Sequence, residues 1–418
     1  MQIADRLAPL QSNVFADMDR AKAAAIADGK TIVDLSLGSS DLPTPPHVLD
    51  AIATALQDPT THGYSLFNST RPFRVTAAQW YEQKFGITVD PETEVLPLIG
   101  SQEGTAHLPL AVLNPGDVAL LLDPGYPSHA GGVYLAGGEI YPMPIVAEND
   151  FLPVFTDIPS AVVTKARMMV LSYPHNPTTA IAPLPFFKRA VDFCRQHNIV
   201  LVHDFPYADL YFEGEPVPSV LQADPQKTVS IGFFTLSKSY NMGGFRVGYA
   251  VGNAKLIQAL RQVKATVDFN QYRGILRGAM AALSGPQDCV DQMVSTFAQR
   301  RNAAVKALRA IGWQVPVPQA TMYVWAKLPE NLPNGWATRS IEFCTALVGE
   351  TGVALSPGRG FGRTGEGYVR FALVQSPEVL ATAVSQIGAF VDTIGKSAVC
   401  SNDPTIDRSS TSTVKTKA

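Results

Sequence analysis

Residues 233–248 read Phe233-Phe234-Thr235-Leu236-Ser237-Lys238-Ser239-Tyr240-Asn241-Met242-Gly243-Gly244-Phe245-Arg246-Val247-Gly248. An apolar, β-like run over residues 229–234 leads into a polar loop with two adjacent glycines, and a second apolar run over 247–251 leaves it. The loop carries Lys238, the hydroxyls of Thr235, Ser237 and Ser239, and Arg246. A lysine at the mouth of two strands suits carbonyl chemistry. Burial disfavours its ammonium form, so its pKa falls and the amine becomes a nucleophile. Hydroxyl donors beside a guanidinium that binds bidentately suit a phosphate. A lysine beside a phosphate cradle points to pyridoxal 5′-phosphate held as a Schiff base. Taken alone, the stretch fits equally a surface loop with a solvated Lys238 and Arg246.

Upstream, apolar strands alternate with helices. The run 118–122 ends at Asp123-Pro124-Gly125-Tyr126-Pro127, a second covers 140–144, and a third, 168–173, ends at Pro174-His175-Asn176-Pro177-Thr178. After a helix over 186–197, the run 199–205 has Asp204 as its last polar residue. Continuous apolar strands separated by helices predict a parallel sheet covered on both faces. The expected fold class is α/β: three αβα layers around a mostly parallel sheet, with a smaller α+β domain. Ligands bind such sheets beyond the strand carboxyl ends. Tyr126, Asn176, Asp204, Tyr207 and Lys238 all fall at or just beyond those ends. An earlier strand over 94–99 turns at Gly100-Ser101-Gln102-Glu103-Gly104 into a helix running to about Leu113. Backbone N–H groups at a helix start bind anions. A plain helix cap using Ser101, with Glu103 nearby, explains the same residues.

The remaining chain places these elements. Residues 1–30 read as an irregular arm and a short helix over 21–27, and 31–37 as a short strand broken by the Gly- and Pro-rich run 38–46. Helices follow over 47–56 and 72–85, with the polar-aromatic loop 64–70 between them. Helices are also expected over 254–265 and 272–282. A long helix over 287–311, with a charged face at Arg300, Arg301 and Arg309, links to the second domain. That domain reads as a strand over 322–327, a helix over 339–348, a glycine-rich loop over 356–363, a turn and strand over 365–373 and a helix over 377–394. Residues 398–418 are rich in Ser, Thr and Lys and low in aromatics, so they are expected to be disordered. The domain division expected is an arm over 1–45 belonging to the small domain, a large cofactor-binding domain over 46–286, the small domain over 287–397, and the tail.

Composition narrows the function classes. Of 418 residues, 46% are hydrophobic and 17% charged, a globular balance that fills a large core. A net charge of −3 favours neither nucleic acid nor an anionic membrane. The four cysteines lie far apart without metal-ligand spacing, which fits idle thiols in a reducing compartment and no metal. The first 30 residues lack an apolar signal core, and no apolar run approaches the ~20 residues that span a bilayer. The expected compartment is the cytoplasm.

Six motifs complete the case: GSQEG (100–104), DPGYP (123–127), YPHNPT (173–178), HDFPY (203–207), SKSYNMGGFRVG (237–248) and GEGYVRFAL (365–373). In order and approximate spacing they resemble the class I/II aminotransferases of fold type I, over about residues 30–395. The resemblance implies pyridoxal phosphate, with Lys238 carrying it and moving the substrate proton. It implies Asp204 as partner of the pyridinium nitrogen, and Tyr207 and Asn176 as donors to the phenolic oxygen. Tyr126 would stack on the ring. Ser101, Gln102, Thr235, Ser237 and Arg246 would hold the phosphate, joined by Tyr64 from a neighbouring subunit, so a homodimer is implied. Tyr64 fits local loop packing as well. Arg370, with Asn176, would bind the substrate carboxylate near the backbone of Gly38. A strand-edge salt bridge is the other use for Arg370. Two stretches depart from the family. Ser40 stands where a proline is usual, and residues 267–272 (VDFNQY) differ in the region that would shape the side-chain pocket.

The implied reaction is transamination between an L-amino acid and a 2-oxo acid. The run ATMYVWAKLP (320–329) adds a likeness to the alanine and LL-diaminopimelate group, with glutamate/2-oxoglutarate as one pair and alanine, aspartate or LL-diaminopimelate as the other. The same cofactor site would serve a C–S β-lyase or a non-catalytic pyridoxal-phosphate-binding protein.

Overall fold

The computed structural model describes residues 3–10, 14–330 and 332–401. In chain order its strands are β1 (Val33–Asp34), β2 (Val95–Leu98), β3 (Val118–Asp123), β4 (Glu139–Pro144), β5 (Ala166–Ser172), β6 (Val200–Asp204), β7 (Ser230–Thr235), β8 (Gly248–Gly252), β9 (Tyr323–Lys327), β10 (Val353–Ala354), β11 (Ser356–Pro357) and β12 (Tyr368–Ala372). The helices are α1 (Val14–Ala27), α2 (Pro46–Leu56), α3 (Arg71–Phe85), α4 (Ser101–Val112), α5 (Pro127–Leu135), α6 (Ser160–Lys165), α7 (Leu184–His197), α8 (Leu236–Ser239), α9 (Ala254–Val267), α10 (Arg273–Ser284), α11 (Asp288–Ala310), α12 (Ser340–Thr351) and α13 (Pro377–Ser401).

Strands with no polar alternation have no face for water, so they must sit in a sheet covered on both sides. Seven of them do, in the order β2-β8-β7-β6-β5-β3-β4. All neighbours from β7 to β4 pair parallel, and β8 runs antiparallel to both β7 and β2. Successive side chains alternate between two cores. Leu120 and Leu122 of β3 join the core that also holds Phe73, Tyr81 and Phe187, whereas Ala119 and Leu121 join the one with Leu108 and Ile257. Helices α4, α5 and α9 pack together on the second core, and α10 lies against α2 and α3 on the first. The α/β expectation holds, with a mostly parallel sheet between helical layers.

A separate three-stranded antiparallel sheet has the order β11-β12-β9, and β1 pairs parallel with β10 through Val33 and Val353. Helix α11 packs on α13, and α1 on α12. Several elements differ from expectation. The strand expected over 31–37 pairs as a ladder only at Val33–Asp34, because Asp34 Oδ1 accepts from both the backbone N–H (2.8 Å) and the hydroxyl (2.6 Å) of Ser36 and turns the chain. The glycine-rich loop 356–363 contributes strand β11 and a single 3₁₀ turn, Gly358–Phe361. The expected charged face of α11 is largely internal. Arg300 is buried and grips Asp41 at 2.6 and 2.7 Å, and buried Arg301 grips Glu213 at 2.7 and 2.6 Å. Forked pairing of this kind is what lets a guanidinium leave water. Helix α13 continues past Ile394 to Ser401, since no proline precedes Pro404 to stop it. The tail expected from residue 398 thus begins in helix, and its residues 402–418 lie outside the described residues. Among the described residues no helix is long and apolar enough to cross a membrane.

Candidate active site

The carboxyl ends of the parallel strands lie along one edge of the large sheet. Strand β6 ends in Asp204, which is buried. Its Oδ2 lies 3.0 Å from Nε2 of buried His129, and its Oδ1 is buried with no hydrogen-bond partner. His129 sits in the first turn of α5, just after Tyr126, whose half-exposed ring stands edge-on to it at 5.6 Å between centroids. Strand β7 runs straight into the short helix α8, which carries Lys238. The Lys238 Nζ donates to the carbonyl of Gly38 at 2.6 Å. Burial holds the Lys238 ammonium below its ordinary pKa, with the charges of Arg370 and Arg246 acting the same way and Tyr323 opposing.

A second group of side chains lies at the small sheet. Arg370 of β12 is buried and donates to Asn176 Oδ1 (2.8 Å), the Ser36 carbonyl (2.7 Å) and Ser356 Oγ (3.2 Å), while its Nε is buried without a partner. Its guanidinium lies 4.2 Å from the ring centroid of Tyr323 and 4.7 Å from that of Phe361. The hydroxyls of Tyr323 and Tyr207 are 2.9 Å apart. Gly38 can be nothing larger here, because a Cβ would overlap the Tyr323 hydroxyl. The loop after it is tied down by Ser40 Oγ, which donates to Asn241 Oδ1 at 2.7 Å.

A third group lies where β2 meets α4. Gly100, at φ +75°, starts α4 with no side chain capping the helix, so the N–H groups of its first turn, at Ser101 and Gln102, point outward. A Cβ on Gly100 would come within 2.5 Å of an Arg246 guanidinium nitrogen, so the arginine lies directly on this turn. Thr235 Oγ1 donates to Ser237 Oγ at 2.8 Å and accepts from the Ser237 backbone N–H at 3.2 Å. Helix start, hydroxyls and guanidinium together form an anion cradle. Tyr64 stands apart from these bonds. It is 89% exposed, with the ring of Phe269 edge-on at 6.4 Å.

Residues 30–387 match the family model for aminotransferase class I and II. The chain is 43% identical to an LL-diaminopimelate aminotransferase of Dehalococcoides mccartyi over 93% of this chain and 99% of that protein. It is 40% identical to one of Halothermothrix orenii, over 93% and 98%. Among solved structures it superposes on a probable N-succinyldiaminopimelate aminotransferase of Thermus thermophilus with a TM-score of 0.85 at 42% identity, covering 90% of this chain and 99% of that one. Substrate-bound BacF of Bacillus subtilis gives a TM-score of 0.88 at 35% identity, over 93% and 98%.

The chain belongs to the class I and II aminotransferases. It is an enzyme that transfers amino groups, and its cofactor is pyridoxal phosphate. The residues of this aminotransferase fit that group on their own geometry. The unpartnered Asp204 Oδ1 is an acceptor for a ring N–H, the half-buried Lys238 has its ammonium form disfavoured, and the α4 cradle suits a phosphate. Of the residues singled out in the sequence, Asn176 and Arg370 are joined by a hydrogen bond, and Lys238 meets Gly38. Asp204 ends β6 and Tyr207 lies in the turn that follows it. Ser101 and Gln102 open α4, Arg246 lies on that turn, and Thr235 and Ser237 are joined by their hydroxyls. Two partners of the candidate residues, His129 on Asp204 and Tyr323 on Tyr207, were not singled out in the sequence. His129 lies in a helix whose pattern looks like plain packing, and Tyr323 opens the apolar strand β9, where an aromatic signals core.

Proposed function

We propose that the enzyme exchanges an amino group between LL-diaminopimelate and its oxo acid on one side and glutamate and 2-oxoglutarate on the other. Supporting the substrate is the 43% identity, over nearly the full length of both chains, to a relative of that name. Supporting the chemistry are the bonds of Lys238 to the Gly38 carbonyl, of Asp204 to His129 and of Arg370 to Asn176. When bound, the cofactor supplies a sink for the electron pair left as the Cα proton departs. Asp204 holds a proton at the ring nitrogen, and His129 orients Asp204. Arg370, braced by Asn176, Ser36 and Ser356 and sandwiched between Tyr323 and Phe361, receives the α-carboxylate. That contact places Cα within reach of Lys238, whose neutral amine takes and returns the proton. Tyr207 and the Asn176 amide donate to the phenolic oxygen, Tyr126 covers the ring, and Ser101, Gln102, Thr235, Ser237 and Arg246 hold the phosphate.

The small domain of this reading combines residues 1–45 with 287–397, supported by the β1–β10 pairing, and the large domain is 46–286. The active unit is a homodimer in which Tyr64 serves the neighbouring site. The compartment is the cytoplasm, where the free thiols of Cys194, Cys289 and Cys344 stay reduced. The test is a half-reaction screen. Holoenzyme is mixed with LL-diaminopimelate, glutamate, alanine, aspartate or a cysteine conjugate, and loss of the visible band is followed. LL-diaminopimelate and glutamate should react fastest. A faster reaction with alanine or aspartate would overturn the substrate assignment, and release of pyruvate and ammonia from the conjugate would establish a lyase.

A further inference from the structure

Segment 36–44 is fastened at several places along its length. The Ser36 carbonyl accepts from Arg370 and from Ser356 Oγ, each at 2.7 Å. The Gly38 carbonyl accepts from Lys238 Nζ at 2.6 Å. Asp41 is gripped by Arg300 of α11 at 2.6 and 2.7 Å. The remaining ties all go to Asn241, three residues after Lys238. Ser40 Oγ donates to its Oδ1 at 2.7 Å, Thr44 Oγ1 donates to its carbonyl at 2.8 Å, and its Nδ2 donates to the Pro43 carbonyl at 3.3 Å. Asn241 has φ +53°, a left-handed backbone that asparagine tolerates. Lys238 therefore meets one short segment twice, through its amine at Gly38 and through its own loop at residues 40–44. Without the ties to Asn241, the segment would be referenced to α11 through Asp41 and no longer to the lysine loop. A proline at position 40 would have no hydroxyl to make the first of them.

We propose that Ser40 and Thr44 are positioning residues of this transferase: fastened to Asn241, they hold the Gly38 carbonyl at a set place beside Lys238, and that carbonyl aims the free amine. An amine that gives one N–H to a fixed carbonyl cannot swing, and its lone pair turns away from that oxygen. A small misplacement of a base slows proton transfer steeply. The inference rests on Lys238 being the base. It divides the segment by role, with Ser36 bracing Arg370 for the carboxylate and residues 40–44 serving the base.

The test follows loss of the visible band of the holoenzyme in a single turnover. The substrate is whichever of glutamate and LL-diaminopimelate reacts faster, with hydrogen or deuterium at Cα. Ser40→Ala and Thr44→Val should each slow the turnover roughly threefold to tenfold, the size of one ordinary hydrogen bond, and the pair should slow it further. Deuterium should slow the variants at least as much as the parent enzyme, because the loss lies in the step that breaks the Cα–H bond. The dissociation constant of the substrate should stay in place, since the bonds of Arg370 are untouched. Ser40→Thr keeps a hydroxyl and should keep the parent rate. In crystals of the cofactor-free pair, Lys238 Nζ should lie beyond hydrogen-bond reach of the Gly38 carbonyl. Lys238→Ala, loaded with cofactor and supplied with methylamine as a free base, separates a misplaced lysine from a general fault. Adding the Ser40 and Thr44 changes to it should leave the methylamine-driven rate as it is. Unchanged turnover in the pair, a lost isotope effect, an intact Lys238–Gly38 bond or an equal slowing of the methylamine-driven rate would refute the positioning role and leave Lys238 as the base. If methylamine restores nothing to Lys238→Ala, the reading of Lys238 as the base fails, and the inference with it.

Discussion

At the scale of single residues, the site is defined by polar atoms whose bonds are incomplete. A buried carboxylate oxygen without a partner is costly, and Asp204 keeps one beside an oxygen already bonded to His129. Arg370 likewise keeps a buried Nε free while its other nitrogens are committed. Lys238 shows the matching effect in its proton affinity. Its ammonium is disfavoured by burial, so the neutral amine exists at lower pH than for a free lysine. Capture of an aldehyde needs that neutral form. Uptake of pyridoxal phosphate by apo-protein, followed by stopped-flow absorbance, should therefore rise with pH and level off at a midpoint below the ordinary lysine value of 10.5. Lys238→Ala should show no covalent band at any pH, and borohydride should fix the cofactor only in protein that keeps Lys238. A midpoint at or above the ordinary value would mean that the pocket does not activate the amine.

Among the elements, α4 carries the proposed phosphate site, because its first turn has no side-chain cap. Its orientation is held from behind by buried charges. Lys264 of α9 donates to both oxygens of Glu103, at 2.8 and 3.0 Å, and to Asp268 at 2.8 Å, while Glu103 accepts from the backbone N–H of Ile99. His107 stands 3.7 Å from Glu103 and 3.8 Å from Asp268. Lys264→Met removes the cation and strands two carboxylates, which should cost about 3–5 kcal/mol. Thermal melting of apo-protein and holoenzyme checks this: both should melt lower, and the cofactor should dissociate more readily. An unchanged melting temperature would show the network to be idle. Elements of this kind were only half legible in the sequence. The strands of the large sheet were readable because burial on both faces leaves an unbroken apolar run, and their last polar residues, Asp204 above all, marked the ligand edge. Partners distant in sequence were not readable. Arg300 meets Asp41 across 259 residues, so its buried pair looked like a solvated face. The Tyr207–Tyr323 bond spans 116 residues, and a tyrosine opening an apolar strand gives no sign of it.

Across the whole molecule, the large sheet meets the small one where Arg370 of β12 reaches Asn176 beyond β5. Tyr64 takes no part in that junction. It is 89% exposed, with the ring of Phe269 (44% exposed) edge-on to it, and exposed Leu66 and Val267 lie two residues from one or the other along the chain. A cluster of large apolar side chains on a surface marks an interaction site. A second copy of the chain is the partner that would bring Tyr64 to a phosphate cradle. Two impaired variants, Tyr64→Ala and Lys238→Ala, test this. In a shared site Lys238 comes from one chain and Tyr64 from the other. A mixed heterodimer then gathers both lesions into one site and leaves the second intact, so activity should recover toward about half of wild type, as two-fold symmetry requires. If Tyr64 serves its own chain, each site of the heterodimer carries one lesion and activity stays low. Heterodimers purified by two different affinity tags, assayed beside each homodimer, decide between the outcomes. Lack of recovery would place Tyr64 in its own subunit. Full wild-type activity at a dilution where sedimentation finds only monomer would rule out a shared site altogether.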